Sequence, residues 1–529
     1  MNDPRPGSVG EPAAPPEATV PGTSGETVLP EGEGWTRLDP KSVVAVSSLV
    51  ALLAIPPLAI MALSGAERMA VLVTAGGWLL IVLGVCITSW VSWHFTRYRI
   101  TGHRFELRAG RLSRSHKSIP RDRIRSVDLT ANPVHRVFGL SVVKIGTGQQ
   151  AGDSEIKLDA VTTPRAEALR HELLRTPSTA DTAAESHTAS VPAAETLSSI
   201  RPAWFGYGAL TVSLAAVVWG AIASAIGSFA DVIMNLGLDD AVLGDVVSLP
   251  VWISVTAGVL GALLVGALGA VLLSLEMWWG FTLTREQDSM LRVRRGLLTV
   301  RSLSLEERRL RGVELVEPML LRWVGGARLN AVATGLSDQQ SGNRQPDRAA
   351  LMPPAPREEV RRVSGVALGT DPPVPSRTLV RHPFAALRRR LFRATAVGVL
   401  VGTALVLAAT VTGWLIPLAW ALAIAALLIA WAFGLESYWN LGHELLARHL
   451  LARSGVGVRR TVALERDGII GWRVEQTIFQ RPAGLVTISA TTAAGSGAYA
   501  VRDVAATDGL TVAEEAVPNL LTPFLERDG

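Results

Sequence analysis

Six apolar stretches constrain this chain more than any other feature. Each is long enough to cross about 30 Å of hydrocarbon at about 1.5 Å per residue. They come in pairs: 42–63 with 70–91, 204–227 with 250–275, and 394–414 with 418–437. None carries an ionisable residue in its middle. Hydrophobic residues make up 48% of the chain and charged ones 18%, a balance that argues against a soluble enzyme. The first run follows some forty residues rich in Pro, Gly and Glu, and so reads as a span rather than a leader. Pro56–Pro57 is expected to kink it.

The placement of basic residues predicts the orientation. Residues 64–69 hold one basic residue, Arg68, and 228–249 hold none but carry Asp231, Asp239, Asp240 and Asp245. Nearly all other basic side chains lie between the pairs, with "RHPFAALRRRLFR" (381–393) against the fifth run. The positive-inside rule then predicts a multi-pass protein of the cell membrane, with six helices and with both termini and all large polar segments cytoplasmic. Trp90, Trp93, Trp204, Trp278, Trp279 and Trp439 mark interfacial belts.

The segments after each pair repeat. A shift of 186 residues puts Trp93 on Trp279, Gly110 on Gly296, Ile119 on Leu305, Arg123 on Arg309, Arg136 on Arg322 and Gly139 on Gly325. A shift of 345 puts Gly110 on Gly455, Ile119 on Leu464, Arg136 on Arg481 and Gly139 on Gly484, a more worn copy. The chain therefore reads as three repeats of a helix pair plus a cytoplasmic domain.

Within a copy the pattern is β. "HFTRYRITGHRFELRAGRLSRSHKSI" alternates apolar and polar residues, and "RIRSVDL", "LSVVKIGT" and "EIKLDAV" continue the period of two. "TTPRAEALRHELL" (162–174) then reads as a capped helix with Ala166, Leu169 and Leu173 on one face. The spacing predicts its counterparts at 357–368 and within 511–525. "GTGQQAG" (146–152) reads as a hairpin turn, because it joins two strands.

The expected layout is a disordered tail over 1–33, helix pair 42–91, β domain 92–176, flexible linker 177–200, helix pair 204–275, β domain 276–370, helix pair 394–437 and a divergent β domain 438–525. An insertion over about 337–356 interrupts the second domain and reads as disordered, or else as the place to seek a specific partner.

Paired helices followed by R-x-G-x-L-x-R-x-x-x-x-I-P-x-x-R-I-x-x-V, at residues 108–127, and then by Arg136 and Gly139–Leu140, resemble the bacterial pleckstrin-homology (PH)-like membrane proteins of the YdbT type. Residues 294–315 match the pattern well apart from Leu305–Glu306 replacing Ile-Pro, and 453–474 match it poorly. The resemblance implies an all-β PH-like fold, a strongly bent antiparallel sheet or barrel capped by a C-terminal helix. It implies no catalytic residues, and a link to envelope defence or stress.

Gly110, Gly296 and Gly455 are expected at positive-φ turns. Ile119, Leu305 and Leu464 are expected in the core. Arg123 and Arg309 read as pairing with an acid or holding a neighbouring loop, with ligand binding as the other reading. Arg108, Arg111, Arg114, Lys117, Arg121 and Arg125, with Arg294, Arg295, Arg301 and Arg308 in copy two, are candidates for contact with the anionic leaflet or a partner, at about 1 kcal/mol per basic side chain near the surface. The competing reading is a solvated face made by codon usage, since 47 of 51 basic residues are arginine.

No cofactor or metal site is expected. The one cysteine, Cys86, lies in an apolar run, and His443 and His449 of "HELLARH" are six apart, where a helical metal pair needs four. No phosphate loop, nucleophile elbow or repeated carboxylate pair occurs, and a net charge of +5 gives little motive for nucleic acid. The expected function is a non-enzymatic, envelope-associated membrane scaffold. Its partners are membrane lipids, anionic headgroups, another membrane protein or a second copy, the last two through exposed strand edges. A transporter or exporter built on the six helices is the alternative.

Overall fold

The computed structural model describes residues 34–63, 65–110, 115–124, 126–146, 155–174, 195–228, 250–286, 289–334, 336, 349–370, 373, 379–413, 416–521 and 523. The expected N-terminal tail, most of the linker, the turn after Gly146, residues 337–348, and Arg111, Arg114 and Arg125 lie outside them.

In chain order, the first unit holds β1 (Thr36–Arg37), the helices α1 (Lys41–Leu63) and α2 (Arg68–Phe95), β2 (Arg97–Ile100), β3 (Arg104–Ala109), β4 (Ser115–Pro120), β5 (Ser126–Ala131), α3 (Pro133–Val137), β6 (Leu140–Gly146), β7 (Glu155–Thr162) and α4 (Thr163–Leu174). The second holds β8 (Glu195–Ser199), α5 (Gly206–Ala209), α6 (Val212–Ser228), α7 (Val251–Trp278), β9 (Thr282–Glu286), β10 (Met290–Arg295), β11 (Val300–Glu306), β12 (Leu310–Pro318), α8 (Met319–Trp323), β13 (Gly326–Ala333), β14 (Ala350–Pro356) and α9 (Arg357–Leu368). The third holds α10 (Phe384–Thr412), α11 (Ile416–Trp439), β15 (Gly442–Leu445), β16 (His449–Ser454), β17 (Val458–Glu465), β18 (Gly471–Glu475), β19 (Leu485–Thr491), β20 (Ala498–Ala505) and α12 (Ala506–Ala516).

Among the described residues, five helices are long and apolar enough to cross a membrane. A sixth counts if Pro202–Ala209 and Val212–Gly227, bent by 67°, form one span. The bend departs from the single run expected at 204–227. The segment before it packs on the β layer, where a Cβ on Gly326 would lie 2.8 Å from Tyr207, and on α7, where one on Gly208 would lie 2.4 Å from Ser274. Most large apolar side chains on α2 face outward, Leu79 being 68% exposed. Burial within the protein therefore does not account for them, whereas lipid would. The third pair is drawn together by small residues: a Cβ on Gly398 would sit 2.9 Å from the Leu427 backbone, so the two helix axes approach closely.

A strand before the helices pairs with the first strand after them. Thr36 lies opposite Tyr98, Glu195 opposite Arg285, and Val380 bridges to His443. Each helix pair therefore leaves its β layer and returns to it at neighbouring points.

The sheet is not continuous within a unit. The order in one sheet is β1-β2-β3-β4; in the next, β7-β6-β5-β11-β10-β9-β8; then β14-β13-β12-β17-β16-β15; and last β18-β19-β20. The two halves of a unit thus lie in different sheets, and β5 and β12 pair with the first half of the following unit. In the first unit Tyr98, Phe105 and Ile119 from one half meet Val127, Val143 and Ile156 from the other, with Ala166, Leu169 and Leu173 of α4 beneath them. Burial of each such large apolar side chain is worth about 1.5–3 kcal/mol. The layers form because the strands alternate: along β3, Phe105 and Leu107 are buried while Arg104 and Arg108 are exposed.

Three further expectations are corrected. Residues 350–356 are not a disordered insertion but the buried edge strand β14. Its Pro353 and Pro354 are tolerated because an edge strand can leave one side without N–H donors. The linker ends in β8, with Leu197 5% exposed, because β9 offers it a free edge. The third capping helix is Ala506–Ala516, starting earlier than the 511–525 window. His443 and His449, whose spacing did not suit a helical metal pair, lie on the paired strands β15 and β16.

Candidate functional site: two seams and a basic cleft

The first seam joins β5 to β11, antiparallel, with Ser126 opposite Leu305 and Ala131 opposite Val300. Side chains then lock it. Arg170 of α4, 1% exposed, reaches Glu286 at 3.1 Å and Ser304 at 2.7 Å in the second unit. Arg292 returns the contact, bonding Glu167 at 2.6 Å and Glu286 at 3.2 Å. Burial alone would raise the Glu286 carboxyl, but the bond and charge of Arg170 and the charge of Arg292 outweigh it and hold the group below its ordinary value. Arg309 pairs with Glu306 at 2.9 Å and donates to the Ile124 carbonyl, so it both meets an acid and holds the neighbouring unit.

The second seam joins β12 to β17, with Gly312 opposite Leu464 and Pro318 opposite Val458. Arg459 donates twice to Glu317, at 2.7 and 2.8 Å, and the Arg357 guanidinium forms an ion pair with it at 2.7 Å. The Glu317 carboxyl is also below its ordinary value: burial pushes it up, and the hydrogen bond from Arg459 with the charges of Arg459, Arg357 and Arg453 more than reverses that. Burial, reinforced by the Arg459 charge, brings Arg453 down to about 10.

A cleft of about 770 Å³ opens between the polar ends of α10 and α11 and the sheet β18–β20. Asp503, 1% exposed and at a φ of 57°, anchors it. Its carboxylate accepts from Arg389, from Arg390 at 2.8 Å and from Gln480 at 2.9 Å. Arg393 and Arg502 also line the cleft; both are exposed, and their guanidinium groups have no partner among the described residues. Behind it, His382 and His443 face each other at 3.0 Å, and the Asp503 carbonyl lies 3.1 Å from the first ring. Among the described residues no group of three or more His, Cys, Asp or Glu side chains is arranged to hold a metal.

The residues singled out from sequence fall in different places. Gly110, Gly296 and Gly455 take φ of 94°, 112° and 137°, and Gly139, Gly325 and Gly484 take 67°, 72° and 63°. Ile119, Leu305 and Leu464 are buried. Arg136 donates to the Leu297 carbonyl, and Arg322 to Glu436 at 2.7 Å, each in the following unit; Arg481 is exposed, with no side-chain partner among the described residues. Arg121 donates to the carbonyls of Glu172 and, at 3.2 Å, Gly102, pinning the end of α4. Arg108 stacks on Trp35 at 4.2 Å, and the buried Arg295 on Trp278 at 4.2 Å. Arg308 meets Glu306 at 2.6 Å, Arg301 and Lys117 are half-buried, and Arg294 and Arg123 are exposed. The described basic side chains therefore do not form one patch. The seam residues Glu167, Arg170, Glu286, Glu317 and Arg357, and the anchor Asp503, carry no periodic signal. The cleft arginines were visible only as a basic run beside the fifth helix.

Two stretches, 46–176 and 394–514, match the family model described as Bacterial PH domain. The chain thus carries bacterial PH-like domains in its first and third units, and such domains point to a protein- or lipid-binding role. No curated protein and no solved structure matches the chain.

Proposed function

We propose that this chain is a non-enzymatic, multi-pass membrane scaffold of the YdbT type, built from three copies of a helix pair plus PH-like domain. The domains stand side by side on the cytoplasmic face, joined through shared sheets, and bind protein partners and anionic headgroups. The observation that carries the reading is the pair of strand seams, which join three small domains edge to edge. Three equivalent copies are supported by the pairing within units: Ser126 with Gly146, Gly312 with Val332 and Gly471 with Thr491 stand at the same shifts of 186 and 345. A common side for all the domains is supported by the pairing of strands that flank each helix pair, and the basic residues beside the helices favour the cytoplasm.

Headgroup contact is assigned to the third-unit cleft, where Arg393 and Arg502 stand at the end of a candidate span and two further arginines are held by Asp503. Arg294 and Arg108 are secondary candidates, being exposed on the first-half sheets. The test is native mass spectrometry of the whole purified protein titrated with phosphatidylglycerol or phosphatidylcholine. Arg393→Glu with Arg502→Glu should lower bound phosphatidylglycerol several-fold and leave phosphatidylcholine unchanged. Equal retention of the two lipids by the unaltered protein would overturn the headgroup assignment. Cysteine labelling from either side of the membrane at Arg68→Cys and Arg294→Cys should give opposite sidedness; the same side for both would overturn the topology.

A further inference from the structure

The two seams are one joint used twice. In the first, Ser126 lies opposite Leu305; in the second, Gly312 lies opposite Leu464. Ser126 and Gly312 are equivalent at the shift of 186, and both correspond to Gly471 in the third unit. Leu305 and Leu464 are equivalent to Ile119 in the first: Phe105, Leu291 and Leu450 pair with Ile119, Leu305 and Leu464 in turn. The joint therefore repeats to the residue. At each use it sets the second-half edge of one unit against the first-half edge of the next.

Two edges of the same kind are left over. The first-half edge β4 ends one sheet and the second-half edge β18 ends another, with no strand beyond either among the described residues. Around β18 the surface is apolar: Ile470 is 67% exposed, Ile478 71% and Phe479 62%. The docking arginine repeats this pattern. Arg136 and Arg322 each grip the following unit, while the equivalent Arg481 has no side-chain partner among the described residues. Unpaired edges are templates for further strands, and natural proteins usually cover or disrupt them.

We propose that β18 of one copy pairs antiparallel with β4 of a second copy, so that the internal joint recurs between chains and the array extends head to tail. Both internal seams give the same register for this contact: Ile119 opposite Gly471, Ser118 opposite Trp472, Lys117 opposite Arg473, His116 opposite Val474 and Ser115 opposite Glu475. The joint suits chains held in one membrane. Inside the chain it already carries one helix-bearing unit onto the next, and a head-to-tail contact between chains repeats that step. Such a contact closes into a ring or continues as a filament. Lys117 opposite Arg473 places like charges face to face, with Glu475 on the diagonal, so this joint is weaker than the tethered internal ones.

The inference rests on the three-unit scaffold reading, and the experiment separates the two. Full-length chains carrying Cys86→Ser and two different tags are co-expressed in their membrane, one with Ser115→Cys and the other with Glu475→Cys, then oxidised. The expected result is a cross-linked dimer containing both tags, absent when either variant is expressed alone, and a ladder when both cysteines are in one chain. Pairing Ser115→Cys with Arg473→Cys should link several-fold less, since a diagonal pair stands about 7–8 Å apart against about 5 Å for a direct one. Lys117→Glu should raise the linked fraction about two- to fivefold, the effect of turning a like-charged cross-strand pair into an opposite one.

Thr130→Cys with Arg301→Cys, opposite each other in the first seam, is the internal control. An internal link with no link between chains overturns head-to-tail pairing and leaves the scaffold standing. Failure of the internal link overturns both. Dimers formed by Ser115→Cys chains alone would mean a symmetric contact and would also overturn the proposal.

Discussion

Arg459 closes a two-pronged bond on Glu317, at 2.7 and 2.8 Å, across the boundary between the second and third units. The Glu317 side chain is 2% exposed and also pairs with the charge of Arg357, so one buried carboxylate faces guanidinium groups from two units. Such a group is costly to remove, because its half-buried partners are left with uncompensated charge.

Glu317→Gln is therefore expected to cost about 3 kcal/mol. The measurement is thermal unfolding of the detergent-solubilised protein followed by tryptophan fluorescence. Adding Arg459→Met to Glu317→Gln should recover part of the loss, giving a coupling of about 1–3 kcal/mol in a double-mutant cycle. Simple additivity of the two changes would show that the bond does not hold the seam.

A second prediction concerns the fastening of the capping helices. Arg466 donates to the carbonyls of Ala516 at 2.8 Å and Ala447 at 3.0 Å, holding the end of α12 as Arg121 holds the end of α4. Terminal carbonyls of a helix need such partners, and hydrogen bonds to a charged donor are worth about 1.5–3 kcal/mol each. Arg466→Met is expected to raise hydrogen exchange at the end of α12 and across β20 by at least tenfold, with the first unit unchanged. Protection unchanged in α12 would assign the arginine to solvent instead.

The turn glycines give a sharper case. Gly296 has a φ of 112°, and a Cβ there would stand 2.0 Å from the Thr299 carbonyl oxygen. No rotation of a side chain relieves a clash between Cβ and backbone, so Gly296→Ala should cost more than about 1 kcal/mol. Gly220→Ala, in the open middle of α6, where nothing lies within 4 Å, should be near neutral or stabilising. Similar melting temperatures for the two variants would contradict the turn geometry.

These glycines were legible in the sequence because a positive-φ turn admits few other residues, so the requirement shows at every copy. The apolar positions Ile119, Leu305 and Leu464 were legible through the period of two. The seams were not. Strand edges pair through main-chain atoms, which leave no periodic mark, and Arg170 finds Glu286 across 116 residues of chain. The strand β14 was hidden inside the expected insertion, because its paired prolines suit only an edge and nothing in the sequence says that this strand lies at one. The cleft shows the same limit: Arg389, Arg390 and Arg393 were visible as a basic run, but their anchor Asp503 was one acid among many.

The pair His382 and His443 gives the protein a defined response to acid. Burial, with the neighbouring His443, lowers His382 to about 4, and burial lowers His443 as well. Both rings are therefore neutral in the folded protein near pH 7. An unfolded chain takes up a proton on each near 6.5, so between about 6.5 and 4 the unfolded state binds more protons than the folded one. Stability is then fully present above about pH 6.5 and is lost as pH falls toward 4. For His382 alone the window amounts to on the order of 3 kcal/mol, at about 1.4 kcal/mol per pH unit. Melting temperatures from pH 7.5 to 4.5 should fall more steeply for the unaltered protein than for the double variant His382→Gln, His443→Gln. Parallel curves would mean that the acid sensitivity lies elsewhere. The loss should appear first in the third unit, because the pair ties the base of α10 to β15 and β20. Protease cleavage near residue 380 should therefore precede cleavage at the first seam as the pH is lowered.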